Sequence, residues 1–325
     1  MIVHWHFYLM ATICTLMLPL YFRKEIGNVS AIVWAYFIIN AGWTGLSPMY
    51  NPTDAIHNLL IPALRGSGQL TLFLLATIPT VAILFGSKLL TFLKIGVFLN
   101  AFVCILVGFG MFNAGTFDAG VMAAFLPLYF YNNEEEEYKD LNFLGAMTVL
   151  FAVIESRSAT GALVLAAVAI SYMTIWKSYF YAIGAAIGCI GVSFFLQGRE
   201  LFNDSGRLNA WSAYSQWWWE HGSKAFGTGF STFDSIAAFI PNGNDTIFIW
   251  AHNDWFQLLF DAGFIGLVAG LCLFFIGLVK SRKNPALFSS FFGYGTCCLT
   301  YSPAHFIFGQ LILATTYVTI LKLKK

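Results

Sequence analysis

Apolar runs broken at short polar intervals recur along almost the whole chain. A helix needs roughly 20 mostly apolar residues to cross the hydrocarbon core of a bilayer. Runs near or above that length predict eleven helices, at 5–22, 28–46, 69–87, 92–112, 118–132, 141–155, 158–176, 179–196, 263–280, 285–301 and 304–321. Two longer polar segments lie between them, Ser47 to Gly68 and Gln197 to Ala262, with one acidic run, "NNEEEEYKD", from Asn132 to Asp140. The first run is followed by Arg23 and Lys24 and has neither a basic start nor a small-residue cleavage site, so it reads as a retained span. The fold expected is all-α: a polytopic integral membrane protein forming a single membrane domain over 1–325. The segment 197–262 is expected to be an outer, periplasmic loop with short interfacial helices.

Composition agrees with this reading. Hydrophobic residues make up 58% of the chain and charged residues 10%, against about 25% charged in an ordinary soluble domain. Mean hydropathy is +0.71. No segment is left over for a sizeable soluble domain, and no nucleic-acid partner is expected. The six cysteines all sit inside apolar runs, where they act as small buried hydrophobes rather than a disulfide or metal framework.

Charge placement gives an orientation, because lysine and arginine concentrate in cytoplasmic loops near span ends. With the first residue outside, twelve of the seventeen basic residues face the cytoplasm and only Arg65, Arg157, Arg199, Arg207 and Lys224 face outward. Ten of the sixteen carboxylates fall on the outer side, including Asp204, Asp254 and Asp261. That face repels anions in general and holds one only where cations converge. The acidic run lands in the cytoplasm as a solvated loop.

Three outward features carry candidate chemistry. In "SGRLNAWSAY", Ser205 is a plausible N-cap for a helix whose Leu208, Trp211, Ser215 and Trp218 share a face, with Trp217, Trp218 and Trp219 as an aromatic anchor at headgroup depth. Arg207 then falls in the first turn, where the helix dipole is already positive; guanidinium and helix terminus together make a phosphate site, unless Arg207 pairs with Asp204 or Glu200. Arg157 interrupts apolar sequence from Leu141 to Trp176, an ionisable group at the mouth of two helices, with Glu155 as the alternative counter-ion. His252 precedes Asn253 and Asp254, either of which can cap the helix leading into the ninth span. Next to a helix N-terminus its protonated form is disfavoured, which suits a general base near pH 7. The tryptophans, Trp211 among them, read as an interfacial belt or as a sugar-stacking platform. Gly227, Gly229 and Gly243 suit a loop that turns sharply or approaches a ligand. Gly184 and Gly188, and Gly266 and Gly270, have the spacing of close helix contacts.

Four motifs in order, "SRSATGALVL" (Ser156 to Leu165), "GRLNAW" (Gly206 to Trp211), "FGTGFSTF" (Phe226 to Phe233) and "HNDWFQLLFDAGFIGL" (His252 to Leu267), resemble the bacterial O-antigen ligase and O-antigen polymerase superfamily. The resemblance covers about Phe143 to Val279. It implies a metal-independent, inverting membrane glycosyltransferase of the inner membrane, without a cofactor. Such an enzyme takes a glycan from undecaprenyl diphosphate and passes it to an acceptor hydroxyl, on another glycan or on lipid A-core, with membrane lipids as its other partners. Carried over by motif, Arg157 and Arg207 hold the diphosphate and His252 orients or deprotonates the acceptor. Trp211, Gly227, Gly229, Asn253, Asp254 and His305 are the expected substrate-binding residues. A transporter or flippase of lipid-linked oligosaccharide is the competing reading. Transporters, however, carry ionisable groups near the bilayer midplane and repeated halves, whereas here the informative charges gather at one mouth.

Overall fold

The computed structural model describes residues 3–46, 55–108, 119–131, 139–156, 158–175, 206–230, 232–237, 240, 251–301 and 307–323. In chain order the helices are α1 (Val3–Tyr21), α2 (Arg23–Ile26), α3 (Asn28–Leu46), α4 (Ala55–Gly108), α5 (Ala119–Phe125, continued by a 3-10 turn Leu126–Phe130), α6 (Lys139–Glu155) and α7 (Ala159–Ile175). They are followed by α8 (Arg207–His221), α9 (Phe233–Ala237), α10 (Asp254–Ser281), α11 (Pro285–Thr300) and α12 (Ile307–Leu321). No strand occurs among the described residues; a lone bridge between Ser223 and Gly227 closes a turn. The protein is all-α.

Three stretches among the described residues are long and apolar enough to cross a membrane: Gln69–Gly86, Lys88–Leu106 and Asp254–Ser281. The count of eleven is therefore not reached here. Four of the other expected spans coincide with apolar helices of 15–17 residues, and at 1.5 Å per residue these extend about 25 Å, short of a hydrocarbon core of about 30 Å. The expected span 179–196 lies outside the described residues. The polar segment Ser47 to Gly68 is also corrected, since α4 begins at Ala55. Hydropathy reports affinity for lipid, and a polar stretch can still be helical. Within α4, Gly86 (φ 43, ψ −113) breaks the helix between the two spans.

The chain divides into two compact units, residues 1–83 with 204–274, and residues 84–203 with 275–325. In the second unit, small residues bring helices together. Gly120 of α5 faces Cys297 and Thr160, and Gly293 of α11 faces Val168 and Ala124, so that a Cβ at either would overlap a neighbour. Close backbone approach of this kind is how helices associate when lipid supplies no hydrophobic contrast. The Tyr129 ring fills the space over Gly145, and its hydroxyl donates to the Lys94 carbonyl at 2.6 Å. All five described cysteines are free thiols.

In the first unit, α3 presents Tyr36, Asn40 and Thr44 at four-residue intervals, one polar stripe on an apolar helix. Each is used. The Tyr36 hydroxyl donates to the Ala262 carbonyl at 2.7 Å, Asn40 Nδ2 to Phe226 at 3.0 Å, and Thr44 Oγ1 to Asn40 at 3.0 Å and Phe230 at 3.4 Å.

These partners surround a break in α10 at Gly263 (φ 67, ψ −169). The helix is two arms folded back on each other. Ala262 lies against Gly266, Leu258 against Gly270, and the Trp255 and Phe274 rings are 5.5 Å apart. In a straight helix the last pair would be separated by about 28 Å. The Gly266 and Gly270 spacing thus forms the groove in which the first arm packs.

Candidate functional site

The fold-back frees backbone groups that a continuous helix would bond internally, and the Gly222–Phe230 loop takes them up. Thr228 N–H donates to the Phe260 carbonyl (3.0 Å) and Gly229 N–H to Asp261 (2.8 Å), while Phe264 and Ile265 N–H donate to Lys224 (2.9 Å) and Ala225 (3.2 Å). Such closeness requires glycine on both sides. A Cβ on Gly227 (φ 74) would collide with the Asp261 backbone, and one on Gly263 with the Ala225 carbonyl. Gly229 (φ 115) similarly lies against Thr44. Gly227 and Gly229 thus have a structural use, the close approach of loop and helix break.

Asp261 secures the next element. Its Oδ1 accepts from the N–H of Phe233 (2.8 Å) and Thr232 (3.2 Å) and from the Thr232 hydroxyl (3.3 Å), satisfying free donors at the start of α9. Phe233, fully buried, packs edge-on against Tyr214 (5.1 Å) and Phe260 (4.9 Å).

Helix α8 lies beside the first arm of α10, with Trp211 stacked on Phe256 (6.2 Å, 25°) and Trp217 on Phe260 (5.7 Å, 16°). Its packed face is Ala210, Tyr214 and Trp218. Leu208 and Ser215 point outward, one position off the face that apolar spacing alone suggests. The tryptophan triplet is likewise divided. Trp218 is buried and donates to the Phe260 carbonyl at 3.1 Å, Trp217 is half-buried, and only Trp219 is exposed, with the Lys224 ammonium 4.9 Å from its ring. The residue at the α8 cap is Gly206, left-handed at φ 79 and without a capping side chain; Ser205 lies outside the described residues.

The two helices run side by side from this end, so the start of α8 at Arg207 lies toward the end at which His252 precedes α10. Burial first, and the Arg207 charge second, push the His252 imidazole below the ordinary histidine pKa. Both causes disfavour the protonated ring, the direction expected of a histidine beside a helix N-terminus. Asn253 is the cap: its Oδ1 accepts from Phe256 N–H at 3.0 Å. Asp254, buried, opens the helix. Trp211 has its indole N–H committed to the Ala251 carbonyl at 2.6 Å and one ring face on Phe256. Arg157 and His305 lie outside the described residues. Among the described residues no group of three His, Cys, Asp or Glu side chains could hold a metal ion.

No protein-family model and no curated protein matches this chain.

The site therefore stands on its own geometry. An arginine in the first turn of one helix lies toward a half-buried histidine, of lowered pKa, beside the N-terminus of another. The first can hold an anionic group, where free N–H donors add to its charge. The second can take a proton from a hydroxyl. Sequence reasoning missed Gln257, Asp261 and Gly263. A glutamine in the first turns after an Asn cap is a capping signal, and a glycine inside an apolar run signals a break.

Proposed function

We propose that the protein is a membrane glycosyltransferase of the O-antigen ligase or polymerase type, moving a glycan from undecaprenyl diphosphate to an acceptor hydroxyl. The observation that carries this reading is the packing of α8 along the first arm of α10, which brings the Arg207 end of one helix to the His252 end of the other, where burial and the Arg207 charge lower the imidazole pKa. In the reaction, the acceptor oxygen attacks the anomeric carbon and gives its proton to His252, while the bond from that carbon to the diphosphate oxygen breaks with inversion. Negative charge grows on the leaving diphosphate, and Arg207, with Arg157 carried over by motif, stabilises it. Burial supports the electrostatics. His252 is itself partly buried, and a guanidinium–phosphate contact beside it is stronger than in bulk solvent. No metal is needed for this chemistry.

The same reading has the protein in a bacterial inner membrane as a multi-pass protein, the site opening on the periplasmic side and the basic loops in the cytoplasm. The test is direct. Purified protein is given undecaprenyl-diphosphate glycan and candidate acceptors, with a chelator present, and the products are analysed for a transferred or lengthened glycan. Wild type is expected to yield product, and Arg207→Ala and His252→Ala to insert and fold but yield none. Full activity in either variant would remove that residue from the mechanism.

A further inference from the structure

His252 is the only described non-glycine residue with positive φ, at 51°. A side chain pays about 1 kcal/mol or more for the left-handed region and stays there only where its surroundings leave no choice. Two side chains bond the backbone beside it. On the near side, both backbone groups of Ala251 are held: its carbonyl accepts the Trp211 indole N–H at 2.6 Å, and its N–H donates to Gln257 Oε1 at 3.3 Å. On the far side, Asn253 is fixed by its own cap bond to Phe256 and by its carbonyl, which accepts Gln257 N–H at 2.9 Å.

Gln257 is thus bonded on both sides of His252, with its backbone tied to residue 253 and its side chain to residue 251. An ordinary capping box joins the third helical residue to the cap itself. Here the glutamine comes one residue later and reaches two residues before the cap, so that His252 is enclosed. With 1% of its surface exposed, Gln257 is out of reach of solvent and substrate.

We infer that Gln257, with Trp211, is a positioning residue that locks the His252 backbone in its left-handed conformation and so aims the imidazole at the Arg207 side of the site. The catalytic consequence rests on the function proposed above; the conformational one does not. Gln257→Leu keeps bulk and loses the acceptor, and Trp211→Phe keeps an aromatic ring against Phe256 while losing the N–H and part of the indole's bulk. Histidine labelled with ¹³C, its His252 signal assigned by loss in His252→Asn, reports the backbone through its Cα and Cβ shifts. Wild type is expected to show the left-handed pattern, and both variants an extended one. In the transfer assay each variant should lose up to about 10²-fold in kcat, the scale of a misplacement near 1 Å, with the donor KM little changed.

Unchanged His252 shifts in a folded Gln257→Leu or Trp211→Phe protein would overturn the inference. Should Gln257→Leu fail to fold, Trp211→Phe decides alone. Altered shifts with no transfer activity even in wild type would leave the clamp standing and reject the glycan-transfer reading.

Discussion

The two arms of α10 are continuous in sequence and opposite in character. Asp254–Ala262 carries Asp254, Gln257 and Asp261, all buried, with the Gln257 and Asp261 side chains hydrogen-bonded to neighbouring backbone. From Phe264 to Ser281 the arm is apolar, and Phe264, Ile265, Val268, Phe275 and Val279 are exposed along its length. One arm is specified by polar bonds to α9 and to the backbone around His252. The other is specified by little more than hydropathy, as a lipid-facing span is. A sequence can declare a membrane span through its average character while hiding a site in individual hydrogen bonds.

The largest effect should come from removing the break that separates the arms. Gly263→Ala combines a backbone conformation open to glycine with overlap against the Ala225 carbonyl, a cost on the order of 3–5 kcal/mol. Loss of the folded protein on thermal unfolding in detergent is expected; a variant of wild-type stability would show that the arms need no special hinge. Next is His252→Asn. Asparagine tolerates positive φ, so stability should hold while transfer falls by about 10²- to 10⁴-fold, the usual contribution of a general base. Activity that survives would separate the first arm from the chemistry.

A smaller effect follows from linkage. His252 binds its proton less readily in the folded protein than in the unfolded chain, so in the window just below the ordinary histidine pKa of about 6.5 the unfolded state takes up more protons. Its contribution to stability is complete above that value and lost as pH falls through the window. Unfolding midpoints recorded from pH 7.5 to 5 should show a decline that His252→Asn lacks. Asn40→Leu removes the bond to the Phe226 carbonyl and should cost about 1 kcal/mol, the usual net value of one hydrogen bond. Smallest of all, Val268→Leu on the exposed face of the second arm should change stability by less than about 0.5 kcal/mol.

Much of the architecture was legible because it depends on period and average. The boundaries expected at 28–46, 141–155 and 285–301 lie within two residues of α3, α6 and α11, and the span expected to start at 263 starts at the hinge. Gly227 and Gly229 were legible as turn glycines. The loop helices were less so. The packed face of α8 is chosen by Phe233 and Phe260, which reach it from elsewhere in the chain, so spacing within α8 could not show that Leu208 faces out. His252 and Arg207 were named together by motif, yet what brings their helices side by side is the stacking of Trp211 on Phe256 and of Trp217 on Phe260. Gln257 was invisible as a site residue because its role lies in the peptide its side chain holds.

The most direct test of the account is whether Arg207 and His252 share one pocket. Titrating the imidazole of labelled His252 by NMR, in wild type and in Arg207→Gln, measures this without any substrate. The midpoint should lie below 6.5 in wild type and rise when the guanidinium is removed. A midpoint at or above 6.5 that does not move on removing Arg207 would mean that the two residues do not meet.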